Sequence, residues 1–147
     1  MVRTDLLRKG DILPDLSLPD DTGRLVRLGD FRGRRNLVLF LTHPAGCVAC
    51  EEKLRELSGD LNRLRGEDAE VLAIVPGDGA AAAGWRRLAL PFPMLTGGRA
   101  VFGDAAMIVA DRFGEIFAIA RADADHQLPM TAQLAEELAF VELQCPE

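Results

Sequence analysis

Asn36-Leu-Val-Leu-Phe-Leu-Thr42 runs through His43-Pro44-Ala45-Gly46 into Cys47-Val-Ala-Cys50-Glu-Glu-Lys-Leu54. The first seven residues form a continuous apolar run of strand length and β-prone composition, the pattern of a central strand covered on both faces. Beyond the cysteines, Leu54, Leu57, Leu61 and Leu64 recur at helical spacing with charged residues between them. A strand, a tight loop and a helix therefore follow one another. Gly59 weakens that helix by about 1 kcal/mol relative to alanine and marks a position for a kink or break. Glu70-Val-Leu-Ala-Ile-Val75 supplies the next strand and closes a βαβ unit, with a parallel, right-handed connection.

The flanks follow from turn chemistry. Upstream, alternation from Leu16 meets the turn Asp20-Asp21-Thr22-Gly23, and Arg24-Leu-Val-Arg-Leu28 resumes the extended pattern, giving an N-terminal hairpin. Pro14 and Pro19 confine its first strand to an edge. Downstream, Pro76-Gly77-Asp78-Gly79 ends the second buried strand, and Ala80 to Leu88 reads as a short helix carrying Trp85, with the Ala80 to Ala83 run equally compatible with a flexible low-complexity turn. Leu90-Pro-Phe-Pro-Met-Leu95 suits an edge, since its prolines lack amide donors. Ala106–Ala110 and Glu115–Ile119 flank Asp111-Arg-Phe-Gly114, an antiparallel hairpin with glycine where φ must be positive. A last helix spans Thr131–Leu143, with Leu134, Leu138, Val141 and then Cys145 on one row.

Bulk properties narrow the function classes. The 147 residues, 48% hydrophobic and 27% charged, fit one globular domain spanning 1–147. A formal net charge of -6 with scattered basic residues argues against nucleic acid. The N-terminus meets charge and then Pro14 before an apolar leader core develops, and no run is long enough to span a bilayer. The expectation is a soluble cytoplasmic protein with no membrane partner. Three cysteines, two of them close together, suggest reactivity more than stapling.

Cys47-Val-Ala-Cys50 is a C-x-x-C at a strand-to-helix junction, a setting that reads as a thioredoxin-like redox motif. Residues i and i+3 share a helix face, so the two sulfurs can meet. A free thiol has a pKa of about 8.5, and the unpaired amides and dipole of a helix N-terminus favour its anion. Cys47 is the natural nucleophile, and Cys50 the group that resolves the mixed disulfide. Glu51 and Glu52 oppose a thiolate here, and a protonated His43 favours one. Zinc needs four ligands; His43 and Cys145 are the candidates beyond the pair, a second C-x-x-C is absent, and neither metal nor organic cofactor is expected. His126, in a polar loop, reads as solvated, and Trp85 as a packing residue.

Taken together, these residues resemble the redoxin branch of the thioredoxin-like superfamily, the AhpC/TSA group that contains the peroxiredoxins. The resemblance rests on Gly10–Leu18, Asp21-Thr-Gly23, Asp30-Phe-Arg-Gly33, Leu37–Thr42 leading into Cys47-Val-Ala-Cys50, and Ile108-Val-Ala-Asp-Arg-Phe-Gly-Glu-Ile116. It implies a thioredoxin-like α/β fold: a central mixed β-sheet flanked by helices on both faces, with an N-terminal β-hairpin. Peroxiredoxins are similar to one another in a P-x-x-x-[TS]-x-x-C loop. With Cys50 in the peroxidatic position, His43 stands where the proline would be and Cys47 where the hydroxyl residue would be. The peroxiredoxin arginine and the thioredoxin cis-proline both fall near Ala105, and neither is present.

Three functions follow as expectations. The first is a thiol-disulfide oxidoreductase cycling Cys47 and Cys50, with Thr42, His43, Pro44, Gly46 and Ala105 as the supporting positions. The second is a peroxiredoxin-like peroxidase in which Cys50 attacks peroxide and Cys47 or Cys145 resolves the sulfenic acid. The third is a non-catalytic sensing or binding module switched by the disulfide. Partners of the first two are protein or low-molecular-weight thiols and disulfides, with peroxide in the second and a dimer compatible with any of them.

Overall fold

The chain segment Leu37–Leu41 is buried on both sides because it lies in the middle of a five-stranded sheet with a layer against each face. The computed structural model describes residues 7–43, 47–77, 83–97 and 106–121. Their elements are β1 (Ser17–Pro19), β2 (Leu25–Arg27), β3 (Asn36–Leu41), α1 (Val48–Gly59), α2 (Leu61–Gly66), β4 (Ala69–Val75), β5 (Met94–Thr96), β6 (Ala106–Ala110) and β7 (Ile116–Arg121). Strands β1 and β2 pair antiparallel as the expected hairpin. The other five form a mixed sheet in the order β5-β4-β3-β6-β7, with β3 parallel to β4 and antiparallel to β6.

Alternation along β3 sorts the core into two layers. Val38 and Phe40 face Leu54 and Leu57 of α1, Leu61 and Leu64 of α2, and Trp85. Leu37, Leu39 and Leu41 face Leu13, Leu18 and Leu28 from the lead-in and hairpin. Burying one such leucine contributes about 1.5–3 kcal/mol, so the four helix leucines are the main anchor of α1 and α2. The helical break expected at Gly59 falls between α1 and α2, at Asp60.

Turn chemistry fixes the ends of the sheet. Between β6 and β7, Oδ1 of Asp111 accepts the amides of Phe113 (2.9 Å) and Glu115 (3.0 Å), and Gly114 takes φ +89°. The lead-in then runs beside this hairpin, with Gly10 N–H donating to the Ile116 carbonyl (2.7 Å) and Leu13 N–H to that of Gly114 (2.7 Å). β5 pairs only with β4 within the sheet, the edge position its flanking prolines allow.

Of the helix expected at Ala80–Leu88, the described part begins at 83: Ala83 is α-helical, and a turn follows at Gly84 and Trp85. Arg86–Leu88 is a single 3-10 turn, closed by Ala89 at φ +50°. Trp85, 2% exposed, anchors this segment to the core. The helix expected at Thr131–Leu143, His126 and Cys145 all lie outside the described residues.

Candidate active site

The paired cysteines sit at the carboxyl end of β3, where the chain leaves the sheet for α1. Open α/β sheets bind ligands at such strand ends. Thr42 extends β3 by one residue: its amide donates to the Ile74 carbonyl on β4 (2.9 Å), and its hydroxyl donates to the His43 carbonyl (2.8 Å). A buried threonine thus holds the backbone from which His43 projects.

Cys47 is the N-cap of α1, with extended backbone (φ -78°, ψ 106°). Serine, threonine, aspartate or asparagine usually fills this position because a side-chain oxygen accepts a first-turn amide. Here a sulfur does so, with Cys50 N–H donating to Cys47 Sγ at 3.2 Å. Cys50 lies one turn further in, 3% exposed, among the core residues of this layer, while Cys47 is half-buried. The His43 amide donates to Cys50 Sγ at 3.3 Å. Its ring Nδ1 stands 3.4 Å from Cys50 Sγ and 3.8 Å from Cys47 Sγ.

Each sulfur therefore faces one backbone donor and shares one imidazole nitrogen. Amide donors that meet a sulfur strengthen their bonds when it becomes a thiolate, because the acceptor is then charged. Both cysteines are free thiols, and the three donor atoms of His43, Cys47 and Cys50 lie within 4.8 Å of one another. A disulfide needs its sulfurs about 2.05 Å apart, so closing the pair takes a rearrangement of the side chains from a separation no greater than 4.8 Å.

Of the residues singled out by sequence, the structure brings together Cys47, Cys50, His43 and Thr42; Pro44, Gly46, Ala105 and Cys145 lie outside the described residues. One participant was not foreseen. The Arg87 guanidinium, from the 3-10 turn after Trp85, pairs with the carboxylate of Glu51, which immediately follows Cys50. One of the two acidic charges set against a thiolate thus has a cationic partner, while Glu52 is exposed to solvent. The sequence signal was only that Arg86-Arg87 follow Trp85, and 36 residues of separation conceal the pairing.

Fold and site together define a protein of thioredoxin-like architecture with two free thiols at the junction of a central strand and a helix. Comparison with known proteins then narrows the class. The sequence profile of the AhpC/TSA family matches residues 9–119, and the chain belongs to that family. Among curated relatives, the peroxiredoxin Bcp of Escherichia coli K12 is 38% identical over 68 residues, which cover 46% of this chain and 43% of that protein. Peroxiredoxin bcp1 of Schizosaccharomyces pombe is 29% identical over 68 residues, covering 46% and 35%. These matches span less than half the length of either relative. Among solved structures, peroxidoxin BcpB of Mycobacterium tuberculosis superposes with a TM-score of 0.74 at 18% identity, covering 93% of this chain and 97% of that one. That likeness confirms the fold. No helix among the described residues is long and apolar enough to cross a membrane.

Proposed function

We propose that this protein is a thiol-dependent oxidoreductase in which Cys47 and Cys50 alternate between dithiol and disulfide. The observation that carries the reading is the placement of both sulfurs at the first turn of α1, within 4.8 Å of each other and each facing a backbone amide donor. The half-buried Cys47 is the attacking thiol: its thiolate bonds to one sulfur of a partner disulfide and expels the other as thiolate. Cys50, sheltered in the core, then attacks the Cys47 sulfur, expels the second partner thiol and leaves the Cys47–Cys50 disulfide. Two electrons pass from the pair to the partner, and an external dithiol restores the starting state. The partners of this cycle are small or protein thiols and disulfides.

A second reading is a thiol peroxidase, favoured by the His43 amide aimed at Cys50 Sγ and by relatives named peroxiredoxins. There Cys50 attacks the peroxide O–O bond, becomes a sulfenic acid as water or alcohol leaves, and is resolved by Cys47, with a second water released. Single-cysteine variants separate the two. Under the first reading Cys50→Ser still captures a small aromatic disulfide as a stable mixed disulfide at Cys47, and Cys47→Ser captures none. If Cys47→Ser instead reacts with hydrogen peroxide to leave a trappable sulfenic acid at Cys50, at a rate matching peroxide consumption by the intact protein, the peroxidase reading replaces the first.

A further inference from the structure

The geometry points to a second capacity of the reduced site: His43 Nδ1, Cys47 Sγ and Cys50 Sγ form a three-ligand site for a borderline-soft divalent cation of the Zn2+ type, with its fourth position open to an external donor. A tetrahedral Zn2+, with Zn–S of about 2.3 Å and Zn–N of about 2.0–2.1 Å, sets two sulfurs roughly 3.8 Å apart and each sulfur roughly 3.6 Å from the nitrogen. Here Nδ1 stands 3.4 Å and 3.8 Å from the two sulfurs, and no pair of the three donor atoms exceeds 4.8 Å. Two sides of the triangle already have about the length a tetrahedral face requires, and the third, between the sulfurs, is no longer than 4.8 Å and reaches roughly 3.8 Å by a side-chain adjustment.

Donor chemistry agrees with the geometry. Two thiolates and one imidazole suit Zn2+, and the two negative charges balance the cation. Each sulfur also keeps its backbone amide donor, Cys50 N–H on Cys47 Sγ and His43 N–H on Cys50 Sγ, the kind of outer support that orients metal ligands. His43 is itself fixed by Thr42, whose hydroxyl donates to the His43 carbonyl. The ligands come from an eight-residue span between the end of β3 and the first turn of α1, so the fold holds them together without a distant partner.

Binding moves no electrons. The cation replaces the thiol protons, releasing up to two per ion, and the neutral imidazole contributes a lone pair. A metal-held pair has both sulfurs committed, so it forms no disulfide until the ion leaves. Metal occupancy and the dithiol cycle are then mutually exclusive states of one pair, and the inference holds whichever thiol reaction the protein performs.

The test is an anaerobic titration of the reduced full-length protein with Co2+ alone, followed by displacement with Zn2+. The expected result is a 1:1 complex with sulfur-to-cobalt charge-transfer absorption and strong visible bands of four-coordinate geometry, both abolished by Zn2+. The oxidised protein, in which Cys47 and Cys50 are joined in a disulfide and offer no thiolate at this site, is expected to show neither, as is Cys47→Ser, whose substitution lies at a half-buried position. His43→Ala is expected to weaken binding by more than about 10-fold. Binding without thiolate charge transfer, equal binding by the oxidised form, or unchanged affinity in His43→Ala would each overturn the proposal. None of these readouts depends on turnover, so a protein inactive towards disulfides and peroxides still decides it.

Discussion

The backbone amide of His43 and its imidazole address the same atom, Cys50 Sγ, from 3.3 Å and 3.4 Å. Substituting the side chain removes only the second of these contacts. A hydrogen bond to a sulfur contributes about 0.5–1.5 kcal/mol, which is roughly a 10-fold effect at most. His43→Ala is accordingly expected to slow thiol-disulfide exchange by no more than about 10-fold, with the retained amides supporting the thiolates. Stopped-flow reaction with a small aromatic disulfide measures this. A loss of several orders of magnitude would instead make the imidazole the principal activator.

Two glycines make opposite predictions. Gly114 sits at φ +89°, and a Cβ placed there would lie 2.8 Å from Nε and Nη2 of Arg32. Arg32 cannot retreat freely, because Nη2 donates to the Leu13 carbonyl at 2.9 Å. Gly114→Ala is expected to destabilise the protein by about 1–3 kcal/mol through strain and displacement of that guanidinium. Gly59, within α1 and with nothing within 4 Å of an added Cβ, is the contrasting case. Gly59→Ala is expected to raise stability by about 0.5–1 kcal/mol. Urea midpoints of the two variants should move in opposite directions.

The contrast shows what sequence could and could not reveal. Gly114 was legible because Asp111-Arg-Phe-Gly114 is a local turn signal between two apolar runs, and Gly59 because it interrupts a leucine periodicity. The same locality made β3, β4 and the junction at Cys47 readable. What remained hidden depends on contacts between distant segments. The Arg32 guanidinium beneath Gly114, the Arg87 partner of Glu51 and the burial of Trp85 all require the folded sheet to bring the pieces together. The position of His43 was hidden for another reason. Its spacing from Cys47 was plain, but the convergence of one ring nitrogen on both sulfurs depends on how the chain turns between β3 and α1.

Leu54 links this site to the core, since α1 carries both cysteines and is held down by its apolar face. Leu54 is completely buried, so Leu54→Ala removes a packed side chain and leaves a cavity, at an expected cost of about 2–5 kcal/mol. Val48, between the two cysteines, is 67% exposed, and Val48→Ala is expected to change stability by less than about 0.5 kcal/mol. Chemical denaturation followed through Trp85 fluorescence compares them. Similar costs for both substitutions would mean that α1 is not anchored as described.

Acid sensitivity should arise in the N-terminal hairpin. Asp20 Oδ1 accepts from the Thr22 hydroxyl (2.7 Å), the Thr22 amide (2.9 Å) and the Arg24 amide (3.0 Å), and these bonds, the hydroxyl first, hold its carboxyl below the ordinary value of 3.8. Asp15 is lowered in the same direction, chiefly by the hydrogen-bonded Arg27 guanidinium and also by the Gly29 amide. In both cases the folded protein favours the carboxylate more than the unfolded chain does. Their stabilisation is therefore complete above the unfolded value and is lost as pH falls through the lowered folded values. The Asp15→Asn, Asp20→Asn double variant is expected to be less stable than the parent at neutral pH, and the gap should close below about pH 4. Urea midpoints across a pH series test it: a gap that stays constant into acid would show that these carboxylates act through hydrogen-bond geometry alone, with no contribution from their charge.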